Sequence, residues 1–117
     1  MAITVQSITP SFAAEVGDVD LSRPLAADDL AAIRAAFTKY AVLVFPDQHF
    51  DDDSQLDFAR NFGPLETTVF KARKEHKLRL HENIADVGNL DAENRILAAN
   101  DRQRLYNLGN RLWHTDS

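Results

Sequence analysis

The sequence predicts an α+β chain in which short strands alternate with helices, and three observations carry that expectation. Leu30, Ile33, Phe37 and Tyr40 recur at helical spacing and form one apolar stripe. Ala41 to Phe45 (AVLVF) is an unbroken apolar run closed by Pro46, the pattern of a strand buried on both faces. Gly63-Pro64 then ends a second helical stretch, because glycine suits a helix stop and proline cannot continue the helix.

Taken in order, residues 3–8 (ITVQSI) read as a short strand. Residues 12–21 (FAAEVGDVDL) read as a second extended piece, broken at the turn pair Gly17-Asp18. Asp28 and Asp29 stand where helix N-caps stand, and their charge suits the positive end of the helix dipole. The first helix follows, and Arg34 and Lys39 lie off its apolar stripe. After the AVLVF strand, Pro46-Asp47-Gln48 forms a turn. Ser54 to Asp57 carries a capping-box pattern, with Asp51 as the alternative cap. The second helix is expected to reach Phe62 and to bury Phe58, Ala59 and Phe62. Thr67 to Phe70 and Leu78 to Ile84 read as strands. Residues 85–110 are polar and give no clear element, and Leu112 to Asp116 can open another strand. The elements are too few to close a layered architecture, and the chain stops without a terminal cap or tail. Truncation is the expected explanation.

Composition narrows the function classes. At 117 residues the chain has the size of one small domain, with 44% apolar and 26% charged residues. Eighteen acidic residues against 13 basic ones give a net charge of −5, which argues against nucleic acid as a partner. The absence of cysteine excludes disulfides, thiolate metal sites and cysteine nucleophiles. The first residues carry neither a basic nor an apolar region of a secretory signal, and no apolar run is long enough to span a bilayer. A cytoplasmic protein without a membrane partner is therefore expected.

The sharpest chemical feature is Trp113-His114-Thr115-Asp116. On a strand, residues two apart share a face, so His114 and Asp116 would present an imidazole nitrogen and a carboxylate side by side. Two such groups are part of a 2-His-1-carboxylate site for Fe(II). On spacing alone the plainer reading is an exposed polar strand end. Two other classes also fit the residues: a small α/β binding module without catalysis, and a zinc hydrolase drawing a third ligand from His76 or His81. The latter lacks a helical His-Glu-x-x-His. His49 follows a turn and His76 sits in a charged run, so both read as solvated. His81 reads as a strand side chain facing a neighbour or water, and Trp113 as a packed aromatic. Asp51-Asp52-Asp53 reads as helix-start charge.

Context strengthens the metal reading. Ala14 to Ser22 (AEVGDVDLS) is similar to the "GAEV.GVDLS" stretch of the taurine dioxygenase/2,4-dichlorophenoxyacetate dioxygenase (TauD/TfdA) family. Ala41 to Gln48 (AVLVFPDQ) resembles its "GVLVFRGQ", Phe58 to Glu66 (FARNFGPLE) its "FARRFGPLE", and Asn110 to Ser117 (NRLWHTDS) its "N..WHTDSSF". The four matches keep the family's order and spacing and cover essentially the whole chain. Phe12-Ala13-Ala14 and Asn61 to Glu66 resemble the aryloxyacetate branch most.

The resemblance implies the N-terminal part of a double-stranded β-helix (jelly roll) with flanking helices, residues 1–117 being one portion of a single dioxygenase domain cut after His-x-Asp. It implies His114 and Asp116 as the first two iron ligands. A histidine ligand and a 2-oxoglutarate-binding arginine would lie beyond residue 117. Fe(II), 2-oxoglutarate and O2 are the implied cofactor and cosubstrates. The implied substrate is a small anion such as an aryloxyacetate, an alkyl sulfate or a sulfonate, and the intact protein is expected to be a homo-oligomer. Asn110, four residues before His114, is implied near substrate and cosubstrate; a loop asparagine bonded to backbone is the equal alternative. Lys71 is implied to meet a substrate carboxylate, with a solvated surface charge beside Arg73 and Lys74 as the alternative; Arg95 can serve similarly, although a solvated loop charge fits Arg95 better. The isolated chain is expected to be inactive, and exposed strand edges would favour its aggregation.

Overall fold

A computed structural model describes residues 2–68 and 77–115 of the chain. It divides into two compact units, residues 1–65 and 66–117. Among the described residues the architecture is α+β, with a three-stranded sheet and two helices in the first unit.

Three strands build that sheet in the order β1-β2-β3: β1 (Thr4–Ser7), β2 (Ala14–Gly17) and β3 (Leu43–Val44). β1 and β2 run antiparallel, with Val5 opposite Val16. β2 and β3 run parallel, with Ala14 opposite Leu43 and Glu15 opposite Val44. A Cβ at Gly17 would sit 2.9 Å from Thr4 Oγ1 across the ladder, so a larger residue there would have to turn the exposed Thr4 side chain aside. The chain leaves β2 at Asp18, whose φ of 58° makes the turn expected at Gly17-Asp18.

Helix α1 (Ala27–Tyr40) follows from an alanine-rich segment with an apolar stripe. Its cap position is Ala26, whose carbonyl accepts from Leu30 N at 3.0 Å. Asp28 and Asp29 thus lie inside the first turn, where their charge meets the helix dipole, and are not the caps the sequence predicts. Ile33 and Ala36 are buried, whereas Phe37 is 51% exposed. Helix α2 (Asp52–Arg60) is capped by Asp51, whose carboxylate accepts from Ser54 N and Ser54 Oγ, both at 2.9 Å. Those two bonds hold the Asp51 carboxyl below its ordinary pKa. The helix stops at Arg60, two residues short of expectation. Asn61 Nδ2 turns back to donate to Phe58 O, and the chain passes Gly63 at φ 146°. Leu56 is the buried residue of α2; Phe58 and Ala59 are half-buried and Phe62 is 46% exposed.

Among the described residues the core comprises Ala13, Ala14, Val16, Leu21, Ile33, Ala36 and Leu56, all in the first unit. Gln48 ties two of its approaches together. Its Oε1 accepts from Leu21 N at 2.8 Å, and its Nε2 donates to Val19 O at 2.9 Å and Pro46 O at 3.0 Å. The turn after β3 is thereby fastened to the segment after β2.

Two expected strands fare differently. The AVLVF run is a strand only at Leu43–Val44, and it is not buried on both faces. Leu43 and Phe45 turn toward the helices, whereas Val42 and Val44 are 48% and 43% exposed. β3 is the outer strand of the sheet, so only one flank and one face find cover. Leu78 to Ile84 forms bends and a turn, not a strand. Thr68 N donates to Glu82 O, but Ile84 N closes on His81 O, and Asn83 N donates to His81 Nδ1. Local side-chain bonds of this kind compete with a ladder. The strand expected over Thr67 to Phe70 lies partly outside the described residues, as do Lys71 and His76 entirely.

One backbone detail yields a prediction. Ala41 ends α1 at φ 64°, donating its N–H to Phe37 O, a position that favours glycine. The resembling "GVLVF" pattern has glycine there. Left-handed backbone costs alanine about 1–2 kcal/mol, partly offset by the roughly 0.4–1 kcal/mol that glycine loses through its freer unfolded chain. Because Ala41 is exposed, no burial is lost. Ala41→Gly is expected to stabilise the chain by about 0.5–1 kcal/mol, read as a higher urea midpoint at unchanged slope.

Candidate metal centre

The second unit holds the segment that ends in His114. Among its described residues no side chain is buried, so its order rests on polar ties. Asn83 Nδ2 donates to Glu66 O at 2.8 Å. Arg79 clamps Asp86 with two bonds, Nε and Nη2 each 2.8 Å from a carboxylate oxygen. Leu90 and Ile96 form an isolated antiparallel bridge, and within it Arg95 Nε lies 2.9 Å from Asp91 Oδ2 and Nη2 3.4 Å from Glu93. Glu93 also receives Lys77 Nζ at 2.8 Å, which holds the Glu93 carboxyl low.

Helix α3 (Arg102–Asn107) starts at Asp101, whose carboxylate accepts from Gln103 N at 2.8 Å. It passes directly into a 3-10 segment, Leu108–Arg111. Asn107, at that junction, donates through Nδ2 to Gly88 O at 2.9 Å and so fixes the helix end to the 84–90 loop. Leu112 then turns extended, at φ −100° and ψ 148°, and leads to His114. The expected strand from Leu112 is therefore an extended lead-in; among the described residues it pairs with no other strand. The His114 ring is exposed, with Nδ1 2.7 Å from Leu112 O. A carbonyl oxygen only accepts, so Nδ1 carries the proton and the lone pair of the neutral ring is on Nε2. That is the tautomer a metal-ligating histidine needs, with its other nitrogen oriented by a backbone carbonyl.

The remaining candidates can be placed individually. Asn110 is exposed on the 3-10 segment, four residues before His114. Arg95 is held within its own loop by Asp91 and Glu93. Asp116 and Lys71 lie outside the described residues. Trp113 is fully exposed, at 105%, and not packed as expected; its apolar neighbour Leu112 is itself 72% exposed. His49 and His81 are exposed, and His81 Nδ1 already accepts from Asn83 N. Sequence reasoning missed Asn107, Arg79 and Asp86 as residues that order the approach to His114. The helix signal was present in Asp101, a capping residue standing directly before the helix.

The clamp makes this unit acid-sensitive. Hydrogen bonding from Arg79 holds the Asp86 carboxyl below its ordinary value, against a desolvation cost that pushes it up. A depressed folded-state pKa contributes stability above the unfolded value, about 3.9, and that contribution is lost as pH falls through the folded value. Backbone amides of 79–90 are therefore expected to exchange faster, after correction for intrinsic rates, below about pH 4. Asp86→Asn is expected to reproduce that loosening at pH 7.

Comparison with known proteins fits this arrangement. Residues 4–117 match the family model described as taurine catabolism dioxygenase TauD, TfdA family. Over all 117 residues the chain is 33% identical to the alpha-ketoglutarate-dependent 2,4-dichlorophenoxyacetate dioxygenase of Cupriavidus pinatubonensis, covering 41% of that protein. Over 85 residues, 73% of this chain, it is 38% identical to the (S)-phenoxypropionate/alpha-ketoglutarate-dioxygenase of Sphingobium herbicidovorans, covering 25% of it. The backbone superposes with a TM-score of 0.86 on the crystal structure of AAD-2 in complex with Mn(II) and N-oxalylglycine, at 40% identity, over all of this chain and 41% of the other. The chain thus spans about two-fifths of the length of relatives it matches from end to end. The chain belongs to the TauD/TfdA family of dioxygenases.

Proposed function

We propose that this chain supplies the first two metal ligands, His114 and Asp116, of an Fe(II)- and 2-oxoglutarate-dependent dioxygenase acting on small anionic aryloxyalkanoates. The observation that carries the reading is the His114 ring, held by Leu112 O in the tautomer that places the ring lone pair on Nε2, the form of a metal-ligating histidine. The AAD-2 relative was solved with Mn(II) and N-oxalylglycine, and the latter shares the keto-acid end and second carboxylate of 2-oxoglutarate. Fe(II) with 2-oxoglutarate and O2 supplies oxidative decarboxylation to succinate coupled to hydroxylation of a substrate C–H bond. The intact protein is proposed to adopt the jelly-roll fold and to work as a homo-oligomer.

The chain's own part is positional. Asp101 caps the start of α3, and Asn107 fixes the end from which the ligand segment leaves. Asp116, two residues after His114, would add a carboxylate on the same face of an extended backbone. Asn110 offers an amide donor and acceptor on that approach. Lys71 offers a cation to the substrate carboxylate. Arg95 would have to leave two acidic partners to do the same, so its geometry favours a loop-ordering role. With an aryloxyacetate, hydroxylation of the carbon beside the ether oxygen gives a hemiacetal. Its C–O bond breaks with proton transfer to the aryl oxygen, leaving a phenol and glyoxylate.

The test is aerobic incubation of the intact protein with Fe(II), 2-oxoglutarate and 2,4-dichlorophenoxyacetate or (S)-phenoxypropionate. Equal amounts of succinate and phenol are expected; uncoupled or absent phenol release would refute the substrate class. The 117-residue chain alone carries only two of the proposed ligands. It is expected to release no succinate above a metal-only blank, and oxygen-dependent succinate from it would overturn the ligand assignment.

A further inference from the structure

The first unit leaves an aromatic groove open. Phe37 from α1, Leu43 and Phe45 from the β3 segment, and Phe58 and Phe62 from the end of α2 line a cavity of about 270 Å³. The rings already pack edge to face: Phe45 and Phe58 at 5.6 Å, Phe58 and Phe62 at 5.3 Å, Phe37 and Phe62 at 6.4 Å. About half of the Phe37 and Phe62 surface nevertheless faces solvent. The same Phe45, Phe58 and Phe62 also wall a wider depression of about 610 Å³ that continues past Leu21 and Phe50. Neither lining includes a charged side chain. A contiguous apolar surface of this kind marks a contact site.

We propose that this groove seats an apolar extended segment from the part of the dioxygenase domain that the relatives carry outside the matched two-fifths. The backbone of all 117 residues superposes within a solved chain more than twice as long, so this unit exists elsewhere embedded in further polypeptide. β3 is the outer strand of its sheet, and its Leu43 is a wall of the groove. An incoming strand can pair with the β3 backbone while every second side chain enters between Phe37, Phe58 and Phe62. The uncharged lining selects aliphatic or aromatic side chains, because a charge placed there would lose its water without a partner. The proposal rests on family membership and not on the iron site. His114→Ala, in the other unit, leaves docking unchanged while removing metal.

The experiment coexpresses this chain with the portion of the Cupriavidus pinatubonensis relative that lies outside the matched stretch. A 1:1 complex is expected, with new amide protection at 43–45 and 58–62 by hydrogen exchange. Phe37→Glu and Phe62→Glu should each weaken it by at least about ten-fold, whereas Ile8→Glu, at an equally exposed position outside the groove, should not. Hydrogen exchange across α1 in each isolated variant checks that the unit stays folded. Absence of a complex, a complex without protection at those segments, or undiminished binding by both glutamate variants would overturn the proposal. So would concentration-dependent protection of the groove in this chain alone, which would assign it to a second copy.

Discussion

Replacing His114 by alanine is expected to abolish 2-oxoglutarate-dependent turnover in an intact domain containing this chain. Loss of an outer-shell partner of a metal ligand costs roughly 10–100-fold in affinity or activity, and loss of the ligand itself must cost more. His114 is exposed and lies in a unit without buried side chains among its described residues, so its removal leaves no cavity. Urea midpoints of the metal-free wild type and variant should coincide, while succinate formation with metal falls to the blank. His114→Gln keeps a side chain of similar reach but substitutes a weak amide donor set, and it should recover little. A variant retaining a tenth of wild-type activity would be incompatible with His114 as a ligand.

The second large effect concerns folding. Ile33→Ala is expected to cost about 2–5 kcal/mol, the range for deleting a fully buried aliphatic side chain. Ile33 is completely buried and, with Val16, is the largest fully buried side chain among the described residues. The core around it has three alanines and a handful of branched residues, so little surrounding volume can collapse into the space. Small domains keep a narrow margin, and a loss of that size takes most of it. Chemical denaturation of the first unit should show a midpoint shifted far down, or no folded baseline. The exposed neighbour Phe37 provides the contrast: Phe37→Ala should cost much less in the isolated chain, because half of its surface is already in water.

The residues explain which parts of this structure could be read in advance. Helix α1 was legible because Leu30, Ile33, Phe37 and Tyr40 repeat at 3.6-residue spacing, and a local pattern suffices for a local element. Asp51 was visible as a cap because its bond to Ser54 N spans three residues. The burial of β3 was not legible. AVLVF reads as a doubly covered strand, yet cover depends on what packs against Val42 and Val44, and these 117 residues place little there. The 78–84 segment misled for a related reason: Leu78 and Leu80 alternate like a strand, while Arg79, His81 and Asn83 spend their polar groups on Asp86, Asn83 N and Glu66 O. Helix α3 was missed because its six residues carry too short a pattern to stand out from a polar stretch, although Asp101 marks its start.

At the candidate metal centre, His114 stands out in the sequence only through the four ordered motif resemblances, since His-x-Asp alone is common. The Nδ1 bond to Leu112 O could not have been read from sequence, because it depends on the chain turning extended after the 3-10 segment. The left-handed φ of Ala41 was hidden for the same reason.

Metal analysis after anaerobic loading tests the central claim most directly. The intact domain, its His114→Ala and Asp116→Ala variants and a His49→Ala control would be equilibrated with Fe(II), desalted under nitrogen and assayed for bound iron. The account predicts one ion per wild-type and His49→Ala domain and none retained by the other two. Full iron loading of either His114→Ala or Asp116→Ala would contradict it.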